Sequence, residues 1–513
     1  MNKFKKYSME QLHLPMSYDD MIPEKHLVRV VNQVINELDL TTLYTRYSEK
    51  GCTAYHPQMM LKVILYAYTQ RIFTSRMIAK ALRENIYFMW ISGSNQPNWR
   101  TINRFRGEMK ETIGKIFAEV IKLLIKNRYI RMENYFIDGT KIEANANKYT
   151  FVWNKSIRYY ERQLDEKIRK QLEEIEILEE EEQEIYQEED LEEIGEKSRL
   201  TAAQVERAAA VIDKRIEAEP ENKELKKKRK MFRADFIPRK IKYEKALETF
   251  RGRNSYSKTD PDATFMRMKE DAMLNGQLKP GYNIQMGTEN RYIVGYSVHA
   301  KPNDTTTLIP HLEELKEQIG RLPHNIIADG GYGSEENYAY LERNHLGNYV
   351  KYNYFHAEKK KKFRENIYRT ENLPYDEETN TYTCPAGKKL VHHRTVKTRS
   401  DNNYLKTEEL YRCEDCSFCT QAASCKKTEK NRQIRVSHPL KKYRMQANEN
   451  LCSETGKRLR SQRVVEVEQT FGRLKGCWGF RRFLLRGKEK VKIEWGLLAI
   501  AHNITKIALE KST

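Results

Sequence analysis

The chain has 513 residues with 92 Lys or Arg against 72 Asp or Glu, which gives a net charge of +20, and its mean hydropathy is -0.82. That length accommodates more than one domain with its own core, and the charge favours an anionic partner, because Lys and Arg neutralise phosphates and release their counterions. A transmembrane protein is excluded by the lack of a long apolar run, a secretory signal is not read in MNKFKKYSMEQLHLPMSYDD, and eight cysteines are too few for a disulfide scaffold, so a cytoplasmic protein with no membrane partner is expected.

Residues 1–130 are predicted to be a helical DNA-binding domain. Pro57 suits the first turn of a helix carrying Met60, Leu61, Ile64, Leu65 and Tyr68 on its apolar side. Thr74 or Ser75 can cap a second helix bearing Met77, Ile78, Ala81 and Leu82. After Gly93 and Pro97, Thr101 can open a third, with Arg100, Arg104 and Arg106 around Ile102 and Phe105. This order fits helix-turn-helix reading of DNA and fits a plain helical bundle with a basic surface equally well.

Residues 155–250 differ in character. Leu164, Ile168, Leu172, Ile175 and Leu178 recur at spacings of three and four among charged residues, acidic from Glu173 to Glu193 and basic from Lys223 to Lys245. Such a stretch predicts long, solvated helices in an antiparallel hairpin, inserted in the domain that follows. From Gly281, Tyr282–Gly287 and Tyr292–Val298 predict two strands joined by the turn Thr288-Glu289-Asn290. Thr306 to Ile319 reads as a helix, Asn325 to Ala328 as a buried strand, and 456–510 as helical and basic. Strand, hairpin, helix and strand make an α/β order with a mixed sheet.

Two apolar runs end in Asp-Gly: Tyr135-Phe136-Ile137-Asp138-Gly139 and Ile326-Ile327-Ala328-Asp329-Gly330. Asp-Gly is also a common turn at a strand end, so each pair alone carries little. Together, on a basic chain, they match the needs of phosphodiester chemistry, in which carboxylates hold hard divalent ions. A third carboxylate comes from Val464–Lys475. There helical geometry sets Glu468 in line with Lys475, seven residues on, and sets Glu466 nearly opposite. Between 456 and 490 stand eleven Lys or Arg, among them Arg473, Lys475, Arg481, Arg482 and Arg486, against three Glu. That balance suits a metal ligand beside a phosphate track, and the alternative is a surface helix with incidental charge.

FIDGTKIEANANKYTFVW, IADGGYGSEENY and VEQTFGRLKGCWGFRRFLLRG resemble the three catalytic blocks of bacterial insertion-sequence transposases of the DDE type, in particular the family numbered eleven-eighty-two. HPQMMLKVILYAYTQRIFTSRMIAKALRENIYFMWISG with TINRFR resembles that family's DNA-binding region, and DPDATFMRMK with PGYNIQ its central block. The resemblance implies an RNase H-like catalytic domain over 131–510, interrupted by the helical insertion, with Asp138, Asp329 and Glu468 as the triad holding two Mg²⁺ or Mn²⁺ ions. It implies DNA cleavage and joining at terminal inverted repeats, on double-stranded DNA that includes the target, by a homodimer or larger assembly. The sequence departs from neighbouring groups in two places. Arg463 lies one residue too far from Glu468 for their signature, and Asn98 stands where an aspartate is commoner.

Cys413, Cys416, Cys419 and Cys425 are spaced C-x2-C-x2-C-x5-C, with Cys384 upstream. Thiolates so close in sequence suit tetrahedral Zn²⁺, with four of the five as ligands, and the alternative is a set of free thiols. By the resemblance they form a small insertion over 380–430. Cys52, Cys452 and Cys477 read as packing residues, and His392 and His393 as exposed loop residues. The competing readings are an RNase H-like nuclease that cuts without joining and a non-catalytic DNA-binding regulator.

Overall fold

The structure is a computed structural model and describes residues 17–45, 47, 54–174, 199–268, 276–400 and 402–512. Ile175, Leu178, Cys52 and most of the acidic run lie outside the described residues. The chain divides into two units. One comprises 1–142, 283–485 and 489–513, and the other 143–282 with 486–488.

In the first unit the N-terminal helices start where backbone N–H groups find a cap. Pro57 opens the helix Pro57–Thr69, buried on nearly every side, which makes it the centre of this bundle. Thr74, rather than Ser75, caps Ser75–Glu84 by accepting the Met77 N–H. The helix carrying Ile102 and Phe105 begins at Trp99, not at Thr101. Its cap is Asn98, which accepts the Thr101 N–H at 2.9 Å. An aspartate caps equally well, so the departure at Asn98 is conservative in physical terms.

The central sheet contains strands β1 (Asn134–Glu143), β2 (Leu278–Glu289), β3 (Tyr292–His299), β4 (Asn325–Ala328) and β5 (Gly347–Val350), in the order β3-β2-β1-β4-β5. β2 and β3 are antiparallel, whereas β1, β4 and β5 run parallel, so the sheet is mixed and fits an RNase H-like arrangement. The hairpin turns on Asn290 and Arg291, both at positive φ, one step later than the turn Thr288-Glu289-Asn290 expected from sequence. Glu289 is instead the last residue of β2. Its buried carboxylate accepts the N–H groups of Arg131, Met132, Glu133 and Asn134 at 2.7–3.4 Å, which fixes where β1 begins. The helix predicted from Thr306 runs Leu308–Ile319 and packs on β3.

A second sheet in this unit is antiparallel, with strands β6 (Tyr375–Asp376), β7 (Thr381–Thr383), β8 (Lys389–Arg399), β9 (Leu405–Cys413) and β10 (Gln433–Val436) in sequential order. Its small core joins Leu373, Tyr382, Leu390, Tyr411 and Ile434 to Cys384, Cys413 and Cys416.

The other unit corrects the expectation of a solvated hairpin. The helices Asn154–Glu173, Ala202–Ala218, Lys223–Met231 and Ile237–Phe250 enclose a core that includes Leu164, Ile168, Val205, Ile212, Phe232 and Phe236. Lys240, wholly buried, meets Asp165 at 2.7 Å and Glu161 at 3.1 Å. Charge spacing alone suggests solvation, but a lysine paired with two carboxylates is the form in which a charge enters a core. The aspartates of DPDATF serve structure as well. Asp260 accepts the Tyr282 hydroxyl and the Gly487 N–H, and Asp262 accepts the Lys488 N–H.

Candidate active site

β1 and β4 pair in parallel through Asn134 with Asn325, Tyr135 with Ile326 and Phe136 with Ile327. Continuing that register by two residues sets Asp138 opposite Asp329, on the same face of neighbouring strands, which in general lie about 4.8 Å apart. The two Asp-Gly pairs nevertheless differ. β1 runs on to Glu143, so Asp138-Gly139 is mid-strand and not the strand end expected from sequence. Gly139 marks a close approach of side chains there. A Cβ at that position would stand 2.6 Å from both Asp304 Oδ1 and Gln285 Nε2. Asp329 does end its strand, and its side chain accepts the Gly331 N–H at 2.9 Å as the cap of a short turn.

Sequence reasoning missed Asp304. It follows β3 and accepts hydrogen bonds from Asn283 Nδ2 at 2.7 Å and Gln285 Nε2 at 2.9 Å, while Gln285 Oε1 accepts the Tyr332 hydroxyl. Burial, then the charges of Asp304, Asp138 and Asp329, push the Tyr332 phenol well above its ordinary value, so all three aspartates lie near enough to act on it. In the sequence Asp304 sits in Pro302-Asn303-Asp304-Thr305, which reads as a helix cap. Only the strand order brings it to Asp138.

Arg463 is the last residue of the helix Glu454–Arg463. Its Nη1 stands 3.7 Å from Asp138 Oδ2, and among the described residues neither Nη1 nor Nε has a hydrogen-bond partner although the side chain is buried. The helix then widens into two π turns, Val464–Glu468 and Arg473–Cys477, separated by Gln469–Gly472. Glu466 turns to the hairpin and accepts the Arg291 N–H at 2.5 Å, whereas Glu468 is exposed. The expected alignment of Glu468 with Lys475 does not hold. Lys475 is buried with Nζ 3.3 Å from the Lys141 carbonyl, because a π turn takes more residues than the α-helical turn from which the alignment was drawn. The fold thus brings Asp138, Asp304, Asp329 and Arg463 together, with Glu468 five residues beyond Arg463. Among the described residues, no three His, Cys, Asp or Glu side chains are gathered closely enough to hold a metal ion.

Basic residues border this site. Burial, with Arg463 and Arg460 nearby, holds the Lys351 ammonium below its ordinary value, and Asp329 acts in the opposite sense. Burial, then Lys351, Arg460, Lys359 and Lys360, lowers the His356 imidazole, so Lys359 and Lys360 lie near the same histidine as Lys351 and Arg460. Of the arginines singled out on the N-terminal helix, Arg100 and Arg104 are exposed, and the guanidiniums of Arg76 and Arg100 lie over the exposed Trp99 ring at 4.9 and 5.3 Å. Arg106 is a correction. It is buried rather than on the surface expected of a DNA contact, and it donates to the Phe73 carbonyl at 2.8 Å and to Asn103 at 3.0 Å, so it holds the bundle together. Arg481, Arg482 and Arg486 are exposed and Arg473 is half-buried.

Cys384, Cys413, Cys416, Cys419 and Cys425 line one small cavity. Cys384 Sγ accepts the Lys388 N–H at 3.3 Å, Cys416 Sγ the Arg432 N–H at 3.5 Å, and Cys425 Sγ the Arg432 guanidinium at 2.8 Å. Burial, then Cys416, pushes the Cys413 thiol up to about 12. Cys452 and Cys477 are exposed rather than packed, and His392 and His393 lie on exposed β8.

Two family models match the chain: a transposase DDE domain over residues 383–508 and a transposase domain (DUF772) over 16–108. The first match includes Glu468 and the cysteines, and the second covers the N-terminal helices. No curated protein and no solved structure shows significant similarity to the chain. No helix among the described residues is long and apolar enough to cross a membrane.

Proposed function

We propose, from the premise that the chain is an insertion-sequence-type DDE transposase and so an enzyme acting on DNA, that it binds the terminal inverted repeats of its element and carries out strand cleavage and strand transfer at Asp138, Asp329 and Glu468. The observation that carries this reading is the register that sets Asp138 opposite Asp329 with Arg463 at 3.7 Å. The oxygen donors of the two aspartates fit Mg²⁺ or Mn²⁺, and the exposed Glu468 is free to complete the set. Two such ions, when bound, stabilise the attacking and leaving oxygens of an in-line displacement.

The chain's own residues do the rest. Asp329, fixed by its turn, and Asp138, fixed in mid-strand, present their carboxylates without rearrangement. Arg463 offsets their mutual repulsion. Lys351, Arg460 and the lysines 359–362 give the scissile strand a cationic bed, extended by Arg481 and Arg482. Arg100 and Arg104, with Arg76 and Trp99, form the DNA-contacting edge of the N-terminal helices, in helix-turn-helix manner. The catalytic domain spans 131–510 with its helical and Cys-rich insertions, and the family numbered eleven-eighty-two is the group it resembles. The five thiols line one cavity, and two of them, Cys384 and Cys416, already take backbone N–H groups, which suits a structural Zn²⁺ held by four of the five. Two element ends must be held together, which calls for a dimer or larger assembly.

The test is incubation of the purified protein with labelled end DNA and Mg²⁺. Nicked ends and joined products support the reading, nicks without joining leave a nuclease, and binding without nicks leaves a regulator.

A further inference from the structure

Asp138 stands in mid-strand, whereas Asp329 caps a turn, so the distance between their carboxylates depends on what holds that turn to the strand. The pairing of β1 with β4 runs only as far as Phe136 and Ile327. Beyond it, side chains do the holding.

Tyr332 is the last residue of the turn Gly330–Tyr332. It is wholly buried, and its hydroxyl donates to Gln285 Oε1 on β2. A glutamine amide can face either way, and only one way offers oxygen to Tyr332. Asp304 selects it. A carboxylate accepts hydrogen bonds and donates none, so Gln285 turns Nε2 to Asp304 Oδ1, at 2.9 Å, and its oxygen to Tyr332. Asn283, two residues earlier on the same face of β2, donates to the same Oδ1 at 2.7 Å and steadies the carboxylate. The Gln285–Asp304 hydrogen bond passes over Gly139, where a Cβ would come within 2.6 Å of both its atoms.

The segment after Asp304 grips the same turn. Thr305 Oγ1 donates to the Gly331 carbonyl at 2.8 Å. Asn337 Nδ2 donates to the Thr305 carbonyl at 2.9 Å and to the Tyr332 carbonyl at 2.7 Å. Thr307 donates its N–H and its hydroxyl to the Asp304 carbonyl, at 3.0 and 2.7 Å, so the backbone of Asp304 is fixed as well. Asn283 and Gln285 are buried, so removing the oxygen they share strands two amide donors in the interior.

We propose that Asp304 is a positioning residue, which through Gln285 and Tyr332 ties the turn carrying Asp329 across Gly139 to the strand carrying Asp138. It acts by its acceptor oxygen rather than its charge, because both amides converge on Oδ1. Asparagine at this position still offers that oxygen, and alanine does not. The catalytic consequence rests on the reading of Asp138 and Asp329 as metal ligands, whereas the clamp itself stands without it.

The experiment compares Asp304→Ala, Asp304→Asn and Tyr332→Phe in the full chain. Amide hydrogen exchange over residues 329–337 reads the clamp, because exchange reports local opening. Mn²⁺ titration of the DNA-free protein and cleavage of labelled end DNA in Mg²⁺ read its consequence. Asp304→Ala should speed exchange across the turn about tenfold. It should also weaken Mn²⁺ binding about tenfold and cut cleavage about a hundredfold, with end-DNA affinity unchanged. Asp304→Asn should stay close to wild type in all three measurements. Tyr332→Phe, which removes one hydroxyl and keeps the ring, should move all three in the direction of Asp304→Ala, and it decides the matter if the alanine variant does not fold. Exchange unchanged in both Asp304→Ala and Tyr332→Phe overturns the clamp, whatever the activity. Faster exchange with Mn²⁺ binding and cleavage intact overturns the positioning role. Asp304→Asn as impaired as Asp138→Asn overturns it too, and makes Asp304 a metal ligand. If Asp138→Asn matches wild type in Mn²⁺ binding and cleavage, the reading of the aspartates has failed, and exchange still decides the clamp.

Discussion

Asp138 and Asp329 stand opposite each other on neighbouring parallel strands, each two residues beyond the paired Phe136 and Ile327. Two carboxylates so placed repel unless a cation lies between or beside them, and Arg463 at 3.7 Å from Asp138 is a cation that the fold supplies. Asp138→Asn and Asp329→Asn should each lower end cleavage by more than about a hundredfold while end-DNA binding persists, measured on labelled ends in Mg²⁺ and by gel shift. Normal cleavage by either variant removes that aspartate from the chemistry.

Glu468 and Glu466 separate the proposed metal ligand from a structural neighbour. Glu468→Gln should abolish cleavage with little effect on the melting temperature, since Glu468 is exposed. Glu466→Gln can still accept the Arg291 N–H, so it should cleave close to normally and cost under about 1 kcal/mol. The opposite pattern places the ligand at Glu466.

Arg463 competes with any divalent ion for Asp138. Arg463→Gln should tighten Mn²⁺ binding to the DNA-free protein, roughly tenfold for a change of about 1.4 kcal/mol, read by Mn²⁺ titration. Unchanged or weaker Mn²⁺ binding means that Asp138 takes no metal.

The N-terminal arginines should divide by burial. Arg100→Ala with Arg104→Ala should weaken end-DNA binding and flatten the salt dependence by a slope of about 2, without unfolding. Arg106→Ala should destabilise the protein by about 3 kcal/mol in urea, because it orphans the Phe73 carbonyl and Asn103 inside the bundle. A folded Arg106→Ala protein with a reduced salt slope would restore Arg106 as a phosphate contact.

Acid should weaken the fold through its buried histidines. Burial holds His311 down to about 3 and His502 to about 4, against 6.5 ordinarily. Between those values and 6.5 the unfolded chain binds more protons than the folded one, so stability falls as pH drops below 6.5. From pH 6.5 to 5 the loss is about 2 kcal/mol per histidine. Buried Asp260 and Glu494, held up by burial, act in the opposite sense. The urea midpoints of wild type and His311→Gln at the two pH values therefore isolate one histidine, and parallel losses in both proteins would refute its share.

The sequence alone determined what rests on short-range rules. The cap at Thr74, the strand ending at Asp329 and the helix reaching Ile319 follow from local backbone chemistry, and the motif blocks name the chemistry by resemblance. Tertiary structure decided what depends on partners distant in the chain. Asp304 joins the site because β2 lies beside β1. Gly139 is a close approach rather than a turn because Gln285 and Asp304 stand against it. Arg106 and Lys240 are buried because other elements satisfy their charge. The π turns shift Lys475 off the face of Glu468, which no 3.6-residue count can foresee. In each case the local pattern was degenerate, and desolvation against a specific neighbour chose one outcome.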